Sequence, residues 1–231
     1  TKHLASNFHP FTCVWSLSQL ICCPMINKEK FRPAWGTITW QELSIFGRKS
    51  IVKRETIAWN DFNFNVFHAW DNGWYLLTAG DFSTKKYNTM TVSWGSTGIM
   101  WNKPFVQVVV RPTRHTYQFI EQYPTFTLSA FGEEQRRALN LLGAKSGRDG
   151  DKIAAARLTP IASTQVAAPG FAEAELVFEC EKIYYDDLKP DHFLAGHIAP
   201  HYHEDYHRVY YGEIKAILGT DQYRRTISDK R

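Results

Sequence analysis

The chain has 231 residues, of which 44% are hydrophobic, 22% charged and 15% aromatic, and its formal net charge is +4 at pH 7. This length supports one substantial hydrophobic core. The aromatic content favours a β-rich core or a site that stacks planar groups. The positive charge is modest and spread along the chain, so it argues against nucleic-acid binding and suits an anionic cofactor.

Cysteine usage and hydropathy narrow the setting in which the protein works. Three of the four cysteines lie within the first 25 residues, and Cys180 stands alone in the body of the chain. This is not the spacing of a disulfide framework, so we expect a reducing compartment, the cytoplasm. No apolar run is long enough to span a membrane, and we expect no membrane partner.

The sequence divides into an irregular start and a more regular body. Residues 1–56 carry scattered tryptophans and prolines with weak periodicity, and we interpret them as an N-terminal extension of uncertain status. Met25 leaves open whether the residues before it belong to the protein. A compact domain is predicted over residues 57–218, and residues 219–231 form a C-terminal tail.

Several short elements are predicted in the body. Predicted helices cover residues 59–70, 116–122 and 133–142. Predicted strands cover residues 74–79, 88–95, 105–111, 126–131, 174–185 and 208–218. Asn60 or Asp61 is the expected cap of the first helix, and Gly143 is expected just after the last one. Polar loops are expected over residues 80–87 and 144–151. Short strands interrupted by short helices indicate a mainly β barrel with helical inserts.

The segment 88–95 is the first that could carry chemistry. As a strand it would point Met90, Val92 and Trp94 to one side, and Thr91 and Ser93 to the other. One face would pack into a core, and the other would offer hydroxyls and backbone to a flat heteroaromatic ring. An ordinary half-solvated strand has the same alternation, so the pattern alone leaves both interpretations open.

The segment 110–116 is a candidate phosphate cradle. A strand ends, Pro112 forces a turn, and a helix begins, so unpaired N–H groups and the helix dipole favour an anion there. The donors that surround this point are Arg111, Thr113, Arg114, His115 and Thr116. A capped helix with solvated arginines is the competing interpretation.

Two further segments leave their roles open. Residues 146–152 are interpreted first as a turn-rich loop, from which Arg148 or Lys152 could reach a cofactor or a neighbouring subunit. The later histidines suggest a metal site or a surface loop before the last strand, or one histidine that reaches a flavin or a dimer interface. They are His192, His197, His201, His203 and His207.

Taken in order, these segments resemble the flavin reductase-like, FMN-binding split-barrel family that includes flavoredoxin. The matching segments are residues 74–81, 88–95, 101–104, 110–116, 146–149, 173–180 and 210–214. The resemblance covers roughly residues 57–218 and implies a Greek-key split β-barrel that forms a homodimer with one FMN per subunit. The loop 83–87 and the histidine-rich run 201–207 depart from the family pattern, which puts the donor or partner site in question.

The resemblance also implies which residues hold the cofactor. Residues 90–94 would line the isoalloxazine, residues 111–116 would surround the phosphate and ribityl chain, and residues 129–131 would lie along the ring. The implied cofactor-binding residues are Asn88, Met90, Thr91, Val92, Ser93, Trp94, Arg111, Thr113, Arg114, His115, Thr116, Ser129, Ala130 and Phe131. No side-chain acid or base is implied, so no catalytic residue is predicted.

Three functions remain open at this point. The protein would be an oxidoreductase that moves electrons from NAD(P)H to flavin or a downstream acceptor. Alternatively, it would be an FMN electron carrier, flavoredoxin-like, that a redox protein partner reduces. A third alternative is a metal-binding barrel that uses the histidine cluster.

Overall fold

The computed structural model describes residues 51–225, which build antiparallel β structure with short helices. The strands are β1 (Glu55–Thr56), β2 (Tyr75–Asp81), β3 (Lys86–Val92), β4 (Gly95–Met100), β5 (Lys103–Val110), β6 (Thr125–Ala130), β7 (Pro160–Ile161), β8 (Gly170–Phe171), β9 (Leu176–Asp187) and β10 (Arg208–Gly219). The α-helices are α1 (Val66–His68), α2 (His115–Gln122), α3 (Arg136–Ala144) and α4 (Lys152–Ala155). The predicted mainly β class with helical inserts is confirmed. Within this range no helix is long and apolar enough to cross a membrane.

One antiparallel sheet organises the fold. Its strands follow the order β3-β2-β6-β9-β10-β5-β4, and β1 adds to β10. The β2–β3 and β4–β5 hairpins therefore lie at opposite ends of the order. Among residues 51–225 no ladder joins β3 to β4, although they are consecutive in the chain. The sheet is thus open between these two edge strands, and each keeps one backbone edge for other partners.

Two apolar clusters fill the two faces of this sheet. The larger contains Tyr75, Leu77, Val92 and Phe178, and α2 closes it with Ile120. The second lies beneath α3, where the helix packs apolar side chains against the other face of β2. β2 is therefore buried on both faces, which explains its nearly continuous apolar sequence. Each such fully buried leucine contributes roughly 1.5–3 kcal/mol.

The predicted helix over residues 59–70 is wrong. The chain forms a 3-10 turn at Trp59–Asp61, runs extended, and then forms α1, which continues into a π turn at Ala69–Gly73. Asn65 is the cap, because its Oδ1 accepts a hydrogen bond from the His68 N–H at 3.1 Å, and neither Asn60 nor Asp61 has that role. The interruption has a tertiary cause, since Phe62 bridges to Arg224 near the chain end.

The predicted strand over residues 88–95 is two elements. β3 ends at Val92, and Gly95 begins β4 by pairing with Val108. A Cβ on Gly95 would lie 2.4 Å from the Trp70 ring, so only glycine lets this indole pass beneath the strand. The alternation of side chains along the sequence continues across this strand break, so the sequence alone does not reveal the break.

Other boundaries also differ. The loop predicted over residues 80–87 shortens to a four-residue turn, because β2 reaches Asp81 and β3 begins at Lys86. Gly143 lies inside α3, whose C-cap is Lys145, so the predicted C′ position is wrong. The β4–β5 hairpin turns at Trp101 and Asn102, whose φ values of 51° and 58° match a type I′ turn.

Candidate functional site

The start of α2 is the centre of the candidate site. β5 ends at Val110, a tight turn follows, and the helix begins at His115 with Arg114 as N-cap. The Arg114 side chain makes no capping bond, so the first helical N–H groups stay available to an anion. The buried Thr116 Oγ1 accepts a hydrogen bond of 2.8 Å from Asn88 Nδ2, which joins the helix to β3.

The His115 side chain places a buried ring nitrogen at this point. Its Nδ1 is buried and has no hydrogen-bond partner among the described residues. Burial is the main cause that lowers the pKa of His115, and Arg148 and Lys152 lower it further. A buried ring nitrogen without a partner is costly unless a further group satisfies it.

The loop after α3 packs against the start of α2 and against β3. A Cβ on Gly147 would stand 2.3 Å from Asn88 Oδ1 and 3.0 Å from His115 Nδ1. The loop backbone therefore lies directly against β3 and α2. Three separate segments meet here around one small polar space.

Positive charge is concentrated around the same space. Arg114 Nη1 lies 3.4 Å from the Gly143 carbonyl, and Arg148 Nη1 lies 3.5 Å from the Thr113 carbonyl. Lys152 is buried, and its Nζ donates to the carbonyls of Leu142 (3.0 Å) and Lys145 (2.9 Å).

Burial, followed by the charge of Arg114, lowers the pKa of Lys152 to about 8. A phosphate dianion would offset this crowding of cations. From the sequence it stayed open whether Arg148 or Lys152 reaches a cofactor or a neighbouring subunit. The signal for them was the Gly-Arg-Asp turn followed by a lysine in residues 147–152.

Arg111 makes its contacts elsewhere than the cations at the start of α2. Its Nη1 donates to Asp205 Oδ2 at 2.6 Å, and its Nη2 donates to the His201 carbonyl at 2.8 Å. Its guanidinium also lies over the Tyr202 ring, 5.2 Å from the centroid. The structure thus brings Asn88, His115 and Thr116 together and leaves Arg111 engaged elsewhere.

The β3 edge carries the remaining predicted residues of this region. Met90 and Val92 pack against the large core, and Thr91 Oγ1 donates to the Leu139 carbonyl at 2.6 Å. The prediction that Trp94 points to the same side as Met90 and Val92 is wrong, because β3 ends at Val92 and both Ser93 and Trp94 follow it. Trp94 is 46% exposed, and its ring lies 5.5 Å from His201 and 5.4 Å from His207.

Ser129 and Ala130 end β6 and Phe131 follows it, and β2 lies between β6 and the open edge at β3. Ser129 is fully buried, and its Oγ has no partner among the described residues. Phe131 packs into the cluster beneath α3, 6.0 Å from the Phe171 ring. Their contact with a cofactor stays a prediction.

The histidines do not converge on one point. Within residues 51–225 no group of three or more His, Cys, Asp or Glu side chains is arranged to hold a metal ion. His207 is buried, and its Nδ1 lies 3.0 Å from the Tyr202 hydroxyl. Burial and the nearby Arg111 lower the pKa of His207 to about 4, so its ring is neutral at pH 7.

An open cleft of about 610 Å³ is lined by the residues that precede β2 in the chain and by the start of α3. The Arg136 guanidinium covers the Trp74 ring at 4.6 Å and donates to the Asn72 carbonyl at 2.6 Å. His68 and Glu133 also line it. Because Arg136 Nη2 also pairs with Glu133 Oε1 at 2.9 Å and Asp71 lines the cleft, the cleft is suited to a flat polar group.

An antiparallel sheet that opens between two edge strands, with a helix start and several cations against one of them, is the architecture of a split barrel. A family model described as the flavin reductase like domain matches residues 67–224. The chain belongs to the flavin reductase-like domain family, a family of flavin-related oxidoreductases.

Solved structures with the same fold bear related descriptions. Flavoredoxin of Desulfovibrio vulgaris (Miyazaki F) is 22% identical, with a TM-score of 0.52 over 69% of this chain and 75% of its own. An FMN-binding domain of a flavin reductases-like enzyme from Shewanella baltica OS155 is 15% identical, with a TM-score of 0.54 over 77% and 84%. An NADH:FAD oxidoreductase of Streptomyces globisporus C-1027 is 18% identical, with a TM-score of 0.50 over 66% and 78%.

Proposed function

We propose that this protein binds FMN and transfers electrons from NAD(P)H to flavin or to a downstream acceptor. The observation that carries the proposal is the small polar space at the start of α2. There the unpaired Nδ1 of His115, free helical N–H groups and three cations face one another.

The dimensions of β3 support a flavin phosphate in that space. Asn88 lies at the cradle and Val92 at the far end of the strand, so the two are roughly 13 Å apart at the usual rise of a β-strand. This span is comparable with riboflavin phosphate from its phosphate to its ring. With no ladder on its outer side among residues 51–225, β3 would offer backbone groups to the polar edge of the ring.

In this arrangement Arg114, Arg148 and the first N–H groups of α2 would hold the phosphate. Thr113 would add its hydroxyl, and His115 Nδ1–H would donate one further hydrogen bond. Bound FMN would supply the hydride acceptance and electron transfer that no side chain here provides. The protein fixes orientation and charge, and we assign no catalytic residue.

An FMN carrier that a partner protein reduces is the second candidate function. It rests on the fold shared with flavoredoxin. The Trp74–Arg136 cleft favours the NAD(P)H-dependent enzyme, because it offers a planar indole and a guanidinium to a nucleotide. We also place the protein in the reducing cytoplasm, in line with its cysteine usage.

We further propose a homodimer formed through an aromatic face that consists of Trp101, Tyr184 and Tyr211. The rings of Trp101 and Tyr184 lie 6.2 Å apart, and those of Tyr184 and Tyr211 lie 5.7 Å apart. Trp101 is 61% exposed, which is unusual for so large an apolar side chain. Charges of both signs border this face, as a self-complementary contact requires.

An absorption spectrum of the purified protein tests the central proposal. The released cofactor is identified after denaturation, and NADH and then NADPH are added anaerobically to the native protein. FMN that bleaches rapidly with either nucleotide supports the enzyme, and FMN that stays oxidised supports the carrier. A colourless protein that takes up no added FMN would refute both.

A further inference from the structure

A long loop between β9 and β10 packs against the candidate flavin site. The loop covers residues 188–207 and is closed at its base, where the Leu188 N–H donates to the His207 carbonyl at 3.0 Å. Inside it, the rings of Phe193, Tyr202 and Tyr206 form one aromatic cluster, with centroids 5.2–5.9 Å apart. This cluster gives the loop a packed interior of its own.

The 188–207 loop contacts the site at Trp94. His201 meets the indole edge-on at 5.5 Å and His207 meets it tilted at 5.4 Å. Trp94 follows the end of β3, where no strand ladder within the described range fixes it. Its indole is held between the strand end and these two rings.

Arg111 joins the 188–207 loop to the body of the sheet. Its salt bridge to Asp205 spans 2.6 Å, and each side chain is only 24% exposed. The same guanidinium donates to the His201 carbonyl and covers the Tyr202 ring. Two of its nitrogens are thus already used by groups that belong to the loop.

We propose that Arg111 is a positioning residue for Trp94 and not a phosphate ligand. Through Asp205 and His201 it holds the 188–207 loop in place, and the loop in turn holds the indole beside the isoalloxazine position. This rests on the proposed FMN site and assigns Arg111 to the ring end of it. Arg114, Arg148 and His115 then account for the phosphate end.

Riboflavin distinguishes the two roles, because it has the ring and ribityl chain of FMN but no phosphate. Loss of a phosphate ligand weakens FMN binding and leaves riboflavin binding unchanged. Loss of a residue that positions Trp94 weakens both by the same factor. Dissociation constants for both flavins are therefore measured for wild type, R111A, D205A, the double variant and, as the phosphate-end control, R114A.

We expect R111A and D205A each to weaken FMN and riboflavin about five- to tenfold, and the double variant to be no weaker than either single variant. R114A should weaken FMN alone. A readout without flavin accompanies this test: 5-fluorotryptophan-labelled apoprotein, in which W94F assigns the Trp94 fluorine resonance. That resonance should move in R111A, in D205A and in the milder D205N, and should stay in place in R114A.

Two results would overturn the assignment. One is a loss of FMN but not riboflavin affinity in R111A, with both affinities unchanged in D205A. The other is a Trp94 resonance that neither D205N nor R111A moves. If wild type binds neither flavin, the proposed function fails, whereas the fluorine spectra still decide whether Arg111 positions Trp94.

Discussion

Gly147 shows how a single missing side chain shapes the candidate site. The place where its Cβ would stand lies 2.3 Å from Asn88 Oδ1. We expect Gly147→Ala to push the loop away from β3 and α2 and to weaken FMN binding at least tenfold. The melting temperature should change by only a few degrees, because residues 148–151 of the same loop are exposed and can adjust to the displacement.

Gly196→Ala is the matched control for this prediction. No atom lies within 4 Å of the Cβ position at Gly196, so the substitution should leave FMN affinity unchanged. Titration of the apoproteins with FMN measures both variants. Equal affinity in Gly147→Ala and wild type would show that the cofactor does not depend on this close approach.

His207 makes the free energy of unfolding depend on pH. Its pKa is about 4 in the folded protein and 6.5 as a free side chain, so the unfolded chain takes up the proton first as pH falls. The free energy of unfolding should therefore decrease as pH falls from 6.5 to 4, by about 3 kcal/mol from this group. Above pH 6.5 both states are neutral and His207 adds no pH dependence.

Denaturant unfolding at pH 7 and pH 4.5 measures this effect in wild type and His207→Asn. The asparagine can still bond to the Tyr202 hydroxyl but does not titrate, so the variant should lose less stability on acidification. His197→Asn replaces an exposed histidine and should behave like wild type. The same loss in all three proteins would remove His207 as the cause.

At the scale of elements, the sequence predicts what local pattern controls. β9 and β10 are rich in β-branched and aromatic residues and α2 follows a proline break, and all three lie within two residues of their predicted bounds. The break after Val92 was not predictable, because it depends on Gly95 meeting Trp70 and Val108, which are distant in the chain. Within residues 51–225 the short β7 and β8 pair only with each other, and they carry no local signal.

In the candidate site, too, some features follow from local sequence and others do not. The strand end, the turn and the helix start at residues 110–116 were predictable, since a strand, a proline and a helix start are consecutive in the chain. The engagement of Arg111 by Asp205 was not, because 94 positions separate the two residues. Likewise, the approach of Lys152 to this space needs the turn after α3, whose path the sequence does not reveal.

Glu121 fixes α2 at the end opposite the phosphate cradle. Its carboxylate accepts hydrogen bonds from the Tyr210 hydroxyl at 2.6 Å and from Arg208 Nη1 at 2.9 Å. We expect Glu121→Gln to lower the free energy of unfolding by about 1–3 kcal/mol, because the amide cannot serve both donors as well. Equilibrium denaturation measures the change.

Glu134→Gln makes the same chemical change at an exposed position and should cost almost nothing. A loss in Glu121→Gln no larger than in this control would show that the contacts to Tyr210 and Arg208 do not hold α2. Because the helix start carries the cradle, Glu121→Gln should also bind FMN more weakly.

For the molecule as a whole, the split sheet leaves the aromatic face on β9, β10 and the β4–β5 turn exposed. Trp101 occupies a left-handed position of that turn, at φ 51°. Trp101→Asn removes the indole and suits this backbone, because asparagine tolerates left-handed φ. We expect the variant to keep its fold and to lose the homodimer.

Light scattering coupled to size-exclusion chromatography, over a range of protein concentrations, measures the mass of both proteins. Leu194→Asn is the control, because Leu194 is 99% exposed on the separate 188–207 loop and its loss should leave the dimer intact. A wild-type monomer, or a Trp101→Asn dimer of unchanged affinity, would refute assembly through this face. A monomeric variant that still binds FMN would show that one subunit holds the cofactor by itself, and loss of both together would place the second subunit at the flavin.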